Sequence, residues 1–166
     1  MPKPFDFLPC LLALGAILVL GGCDSSPTAS NPYDEDTRPE DLTYAPALVE
    51  LGVDFDEMIQ TATGLWYRDF EVGTGAEASV GDNVSVEYTG WLPDGTQFDT
   101  GTFDFELASG NVIEGWVEGL EGVRVGGHRL LVIPWWAAYG RSGAGGGVIP
   151  PYAPLVFEVK LVAVNP

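Results

Sequence analysis

Val84-Ser85-Val86-Glu87-Tyr88-Thr89-Gly90-Trp91-Leu92-Pro93-Asp94-Gly95-Thr96-Gln97-Phe98-Asp99 is the stretch that decides the fold. Val84, Val86 and Tyr88 alternate with Ser85, Glu87 and Thr89, the two-residue period of a strand with one buried face. Pro93-Asp94-Gly95 reads as a turn, Pro fixing φ and Gly taking the positive-φ position. A second strand can therefore begin at Thr96 and carry the alternating Phe103 and Phe105. Downstream, Ile113, Trp116, Val117 and Leu120 fall at helical spacing and give one short helix with an apolar face. Leu130-Leu131-Val132-Ile133 is a continuous apolar run that Pro134 ends. Leu155, Phe157, Val159 and Leu161 alternate again, with Glu158 and Lys160 opposite. Several antiparallel strands and one short helix predict an α+β fold, a curved antiparallel sheet wrapped on the helix.

Composition narrows the function. The 166 residues carry 7 Lys+Arg against 24 Asp+Glu, a net charge of −17. Nucleic acid is excluded as a partner, because its phosphate field demands a basic face. One His and two Cys leave too few soft ligands for a structural zinc site, so neither a metal nor a cofactor is expected. His128, at a strand start, reads as a satisfied or exposed histidine. Gly140-Arg141-Ser142-Gly143-Ala144 misses the nucleophile elbow, because Ala144 stands where the final Gly belongs. The glycine run 143–147 does not follow the dinucleotide fingerprint, and no helix pattern follows it. Trp135-Trp136 suits either a substrate-contacting rim or the core.

The chain divides into three parts. Lys3 precedes an uncharged stretch, 7–22, too short for the ~20 residues that span a bilayer as a helix and laid out as an export signal. Leu20-Gly21-Gly22-Cys23 resembles the lipobox of bacterial lipoproteins. That resemblance implies cleavage after residue 22, lipidation of Cys23, and anchoring to a membrane on the extracytoplasmic side. Whether the membrane is inner or outer stays open, although Asp24 occupies the position that retains some enteric lipoproteins at the inner one. Residues 24–57 hold ten acids and one base, Arg38, so 23–62 reads as a lipidated Cys and an acidic, largely disordered linker. Within it, Val53-Asp54-Phe55-Asp56-Glu57-Met58-Ile59 fits a short helix or a strand, and periodicity does not decide. Residues 63–166 form the compact domain, with most of the aromatics and glycines.

Three segments in that domain resemble the FKBP-type peptidyl-prolyl cis-trans isomerases. They are the quoted run from Val86 to Asp99, Val112-Ile113-Glu114-Gly115-Trp116-Val117-Glu118-Gly119-Leu120, and Tyr139-Gly140 followed by Val148-Ile149-Pro150-Pro151 and Leu155-Val156-Phe157-Glu158-Val159. They occur in the family's order and spacing. The resemblance implies a prolyl isomerase acting on proline-containing polypeptides, here exported ones. It implies a catalytic set of Phe98, Asp99, Ile113 and Tyr139, and substrate contacts from Tyr88, Phe103, Val112, Trp116, Ile149 and Phe157. Trp116 would form the pocket floor, the Ile113 N–H would receive a substrate carbonyl, and the Tyr139 hydroxyl would donate to bound ligand. The chain departs from the family's small cytosolic members in a shorter segment between Phe98 and Phe103. The Arg that pairs with the wall Asp in those members has no counterpart. The loop between Tyr139 and Pro150 is one residue longer and glycine-rich. A monomer is expected of a single domain of this kind. The competing readings are a client-binding module without useful turnover and a lipocalin-like carrier, against which the central helix pattern argues.

Overall fold

The structure is a computed structural model and describes residues 31–42 and 45–165. The expected export signal, 1–22, and the expected lipidation site, Cys23, lie outside the described residues. Strands β1 (Ile59–Gln60), β2 (Trp66–Glu71), β3 (Asn83–Trp91), β4 (Gln97–Glu106), β5 (His128–Ile133) and β6 (Leu155–Asn165) join in one sheet. Helix α1 (Pro46–Glu50) precedes β1, and helix α2 (Glu114–Leu120) lies between β4 and β5. The spatial order is β1-β2-β5-β6-β3-β4, with every neighbouring pair antiparallel. The α+β expectation holds, down to the hairpin at Pro93-Asp94-Gly95, where Gly95 adopts φ +86°.

The side chains of β6 explain the layering. Leu155, Phe157, Val159 and Leu161 join Val84, Val86, Leu131 and Ile133 in the main core beneath Trp116 and Leu120 of α2. A seven-residue helix with two glycines is weak by propensity. Those glycines are needed, however, because α2 lies almost directly on β5. A Cβ on Gly115 would stand 2.3 Å from Ile133 Cγ2, and one on Gly119 would stand 2.7 Å from Leu131 Cδ2. Arg129 then fixes the far end of the helix. Its guanidinium donates to both oxygens of Asp69 (2.6 and 2.9 Å) and to the carbonyl of Gly119 (2.8 Å), and it covers the Tyr67 ring. Gly115→Ala is therefore expected to destabilise by about 2 kcal/mol, overpacking outweighing the ~1 kcal/mol gained in helix propensity. Gly101→Ala, whose Cβ would meet nothing within 4 Å, is expected to stay within about 0.5 kcal/mol of wild type. Urea melts of both variants test the comparison.

The opposite face of the sheet corrects the expected linker. Residues 31–42 and 45–62 are not an extended tether but part of the folded unit. Leu48, Val53 and Met58 are buried against Leu130, Val132 and Val156, with Trp66, Trp91 and Phe55 packed around them. Polar contacts pin the same segment. Arg68 donates to Glu57 (2.6 Å) and to the carbonyl of Gly52 (2.7 Å), and the Trp66 indole N–H donates to Glu40 (3.3 Å). Tyr33 is buried in the main core. The acids of the segment are mostly exposed, so its charge is a property of its outer surface. The undecided stretch from Val53 is mainly turn, reaching strand only at β1. No helix among the described residues is long and apolar enough to cross a membrane.

Candidate functional site

The helix-side face of β3, β4 and β6, together with the loop entering α2, encloses a cleft of 350 Å³. It is lined by Tyr88, Phe98, Asp99, Phe103, Asn111, Val112, Ile113, Trp116, Tyr139 and Phe157. Register sets up the wall. Gly90 pairs with Asp99 across β3–β4 and with Phe157 across β3–β6, so two wall positions meet at one residue without a side chain. A Cβ on Gly90 would lie 2.7 Å from both Phe98 Cζ and Phe157 Cε1. The glycine is thus what allows the two rings to meet edge to face, with centroids 5.5 Å apart. Trp116 is the floor. It contacts Tyr88 at 5.1 Å and Phe157 at 5.3 Å in T-shaped geometry, and Phe105 supports it at 5.4 Å. Its indole N–H is buried and has no protein acceptor.

Asp99 supplies the one carboxylate of the lining. In place of an arginine, it accepts hydrogen bonds from the Tyr88 hydroxyl (2.7 Å) and from the Thr100 N–H (2.9 Å). The absent Arg therefore leaves Asp99 held by a phenol and a backbone amide. Burial first, then the bond to Asp99 and its charge, push the Tyr88 phenol up to about 12. Burial and the same carboxylate also raise Tyr139, another residue of the lining. Both phenols stay protonated at neutral pH, so Tyr88 keeps its donor role toward Asp99. The sign for Tyr88 is fixed by its raised value. Its contribution to stability is complete below the ordinary tyrosine value of about 10 and is lost as pH rises through about 12. Comparing tyrosinate absorbance and unfolding between wild type and Tyr88→Phe in that alkaline range tests the assignment.

Of the ten cleft residues implied by the sequence, the fold brings nine together. Ile149 is the exception. It is buried in the main core and is absent from the cleft lining, because the 3-10 turns of 140–147 and the bridge between Ala144 and Ile149 turn it inward. Asn111 takes part instead. It is a loop residue in no periodic pattern, and only its place one residue before Val112-Ile113 signals it. Trp136 is exposed, its indole N–H donating to the carbonyl of Thr63 at 3.0 Å, while Trp135 is half-buried against Tyr152. The pair thus splits between surface and partial burial, and neither member lines the cleft. His128 lies 3.7 Å from Glu158 and against the Phe70 ring, away from the cleft.

The family profile of FKBP-type peptidyl-prolyl cis-trans isomerases matches residues 75–162. The chain belongs to that family. An FK506-binding protein of Neisseria meningitidis serogroup B is 47% identical over 106 residues, covering 61% of this chain and 96% of the relative. The isomerase FkpA of Escherichia coli is 43% identical over 109 residues, which is 64% of this chain but 40% of that protein. Among solved structures, E. coli FkpA superposes with a TM-score of 0.63 at 38% identity, covering 76% of this chain and 62% of that one. A peptidyl-prolyl cis-trans isomerase of Pseudomonas syringae does so at 0.63 and 34% identity, covering 80% and 100%. The protein is accordingly a peptidyl-prolyl cis-trans isomerase, of a family that acts on proline-containing polypeptides.

Proposed function

We propose that this isomerase serves exported polypeptides at the extracytoplasmic face of a bacterial membrane, anchored through a lipidated Cys23, and that it works by desolvation. The observation that carries the mechanism is the cleft itself. Its walls are aromatic rings, and its single carboxylate is engaged by Tyr88 and Thr100. Rotation about an X–Pro bond crosses a barrier of ~18–20 kcal/mol and breaks no covalent bond. The barrier is loss of amide resonance, which places negative charge on oxygen and positive charge on nitrogen. That charge separation shrinks as the bond twists, so an apolar cleft disfavours the planar ground state relative to the twisted transition state. Phe98, Trp116 and Phe157 supply the dry surface. The Ile113 N–H, at the entry to α2, and the Tyr139 hydroxyl hold the flanking carbonyls.

Uncatalysed isomerisation takes tens of seconds or more, slow enough to limit the folding of secreted chains. The Leu20-Gly21-Gly22-Cys23 ending supports the location, since two or three acyl chains make attachment effectively stable where one gives only marginal binding. A protease-coupled assay on a Leu-Pro peptide tests the activity. Fractionation and lipid labelling of Cys23→Ser test the anchor: an unlabelled product, uncleaved or released in soluble form, is expected, and a product cleaved after residue 22 that still carries lipid would count against it.

A further inference from the structure

The cleft rim is held by residues that precede the family-matched region. Asn31 Nδ2 donates to the carbonyls of Pro151 and Tyr33, each at 2.7 Å, and its Oδ1 accepts from the Tyr33 N–H at 3.3 Å. Tyr33 anchors this turn by burying its ring in the core that also holds Ala137, Ile149 and Ala153. Glu35 approaches Arg141 at 3.8 Å, and the Arg38 guanidinium stands 5.6 Å over the Trp136 ring. These contacts bracket Tyr139 in the chain, with Trp136 before it and Arg141 and Pro151 after it. The link to Tyr139 is short. The Tyr152 N–H, next to Pro151, donates at 3.0 Å to the carbonyl of Gly140, next to Tyr139.

The loop needs an external hold. Gly140, Gly143, Gly145, Gly146 and Gly147 all adopt positive φ, which only glycine does freely. Tyr152 sits at φ +59°, a conformation that a bulky residue keeps only when its surroundings impose it.

We propose that residues 31–38 form a strap that fixes the rim loop and so sets the Tyr139 hydroxyl at the cleft, with Asn31 as its positioning residue. The role rests on the reading of Tyr139 as donor to a substrate carbonyl. Asn31→Asp keeps the size of the side chain but removes its donor, since a carboxylate only accepts. Asn31 is exposed, so the core is untouched. On a Leu-Pro peptide the variant of the full chain is expected to raise KM about three- to tenfold, the scale of one hydrogen bond, with kcat unchanged within about twofold, as for an interaction equal in ground and transition states. Hydrogen exchange at the Tyr152 amide is expected to accelerate.

A double-mutant cycle separates positioning from general loosening. In a Tyr139→Phe background, Asn31→Asp is expected to have almost no further effect on KM, because the two residues act through one hydroxyl. Multiplicative effects, or unchanged KM and unchanged Tyr152 exchange, would overturn the strap. Absence of turnover by the wild-type chain would overturn the functional reading alone, because the exchange arm still reports on the strap.

Discussion

A chain beginning at Thr63 is expected not to fold as a stable domain, although it retains every cleft residue. Its loss would uncover Leu130, Val132 and Val156, which are 0%, 1% and 0% exposed beneath Leu48, Val53 and Met58. Each buried side chain of this size is worth about 1.5–3 kcal/mol, and a whole domain commands only ~5–15 kcal/mol. The entropy regained by freeing the segment offsets part of this, but ordering a few short turns cannot offset a two-sided apolar sheet laid open on one side. Tyr33 adds to the loss from the other face, where it belongs to the main core. Leu48→Ala in the full chain gives a graded version, with an expected cost of ~2–4 kcal/mol read from urea unfolding. A cooperative melt of the 63–166 fragment with a midpoint near that of the full chain would refute the claim.

The same segment shows where the sequence is legible and where it is not. The β3–β4 hairpin, α2, β5 and β6 can be read because each has one period and one buried face, or a run too apolar to lie elsewhere. The N-terminal segment reads as a tether because its ten acids dominate any average. Its buried residues Leu48, Val53 and Met58 stand five apart among exposed Val49 and half-buried Leu51 and Phe55, a spacing that is neither helical nor that of a strand. The signal lies elsewhere, in Leu130-Leu131-Val132-Ile133. A strand apolar at every position is buried on both faces, and one short helix covers only one. That run calls for a second covering layer, and the segment upstream of β1 supplies it. Strand β2 escapes for a related reason. Trp66 and Arg68 take part on the covered face, and Tyr67 lies beneath the Arg129 guanidinium, so neither face reads as simply apolar or polar. At the site, the motifs lead to the aromatic wall, because Gly90, without a side chain, leaves the room in which the Phe98 and Phe157 rings meet. They cannot place Ile149, whose direction depends on glycine turns with no periodicity.

Trimming the aromatic wall is expected to slow catalysis more than removing any polar group of the cleft. Phe98 is the informative position. It is half-buried on the edge strand β4, touching Phe157 rather than filling the core beneath α2, so Phe98→Ala opens the cleft to water with limited damage to the fold. If desolvation of the planar imide is the main source of rate, kcat/KM falls by about 100-fold, roughly 3 kcal/mol. Asp99→Asn and Tyr139→Phe each weaken or remove a hydrogen bond and are expected to cost about 1–2 kcal/mol. The single amide oxygen that Asp99→Asn introduces can still accept from the Thr100 N–H, while its Nδ2 can donate to the Tyr88 hydroxyl oxygen, which keeps the new side chain in place. The pH dependence follows from the same picture. Twisting an imide transfers no proton, and the two cleft phenols are both raised above the ordinary tyrosine value. The profile of kcat/KM is therefore expected to be flat from about pH 6 to 8. A bell-shaped profile, or loss of activity in Asp99→Asn with the fold intact, would replace desolvation with acid–base chemistry at Asp99. A flat profile with Phe98→Ala crippled and Asp99→Asn active would leave the dry aromatic wall as the catalyst.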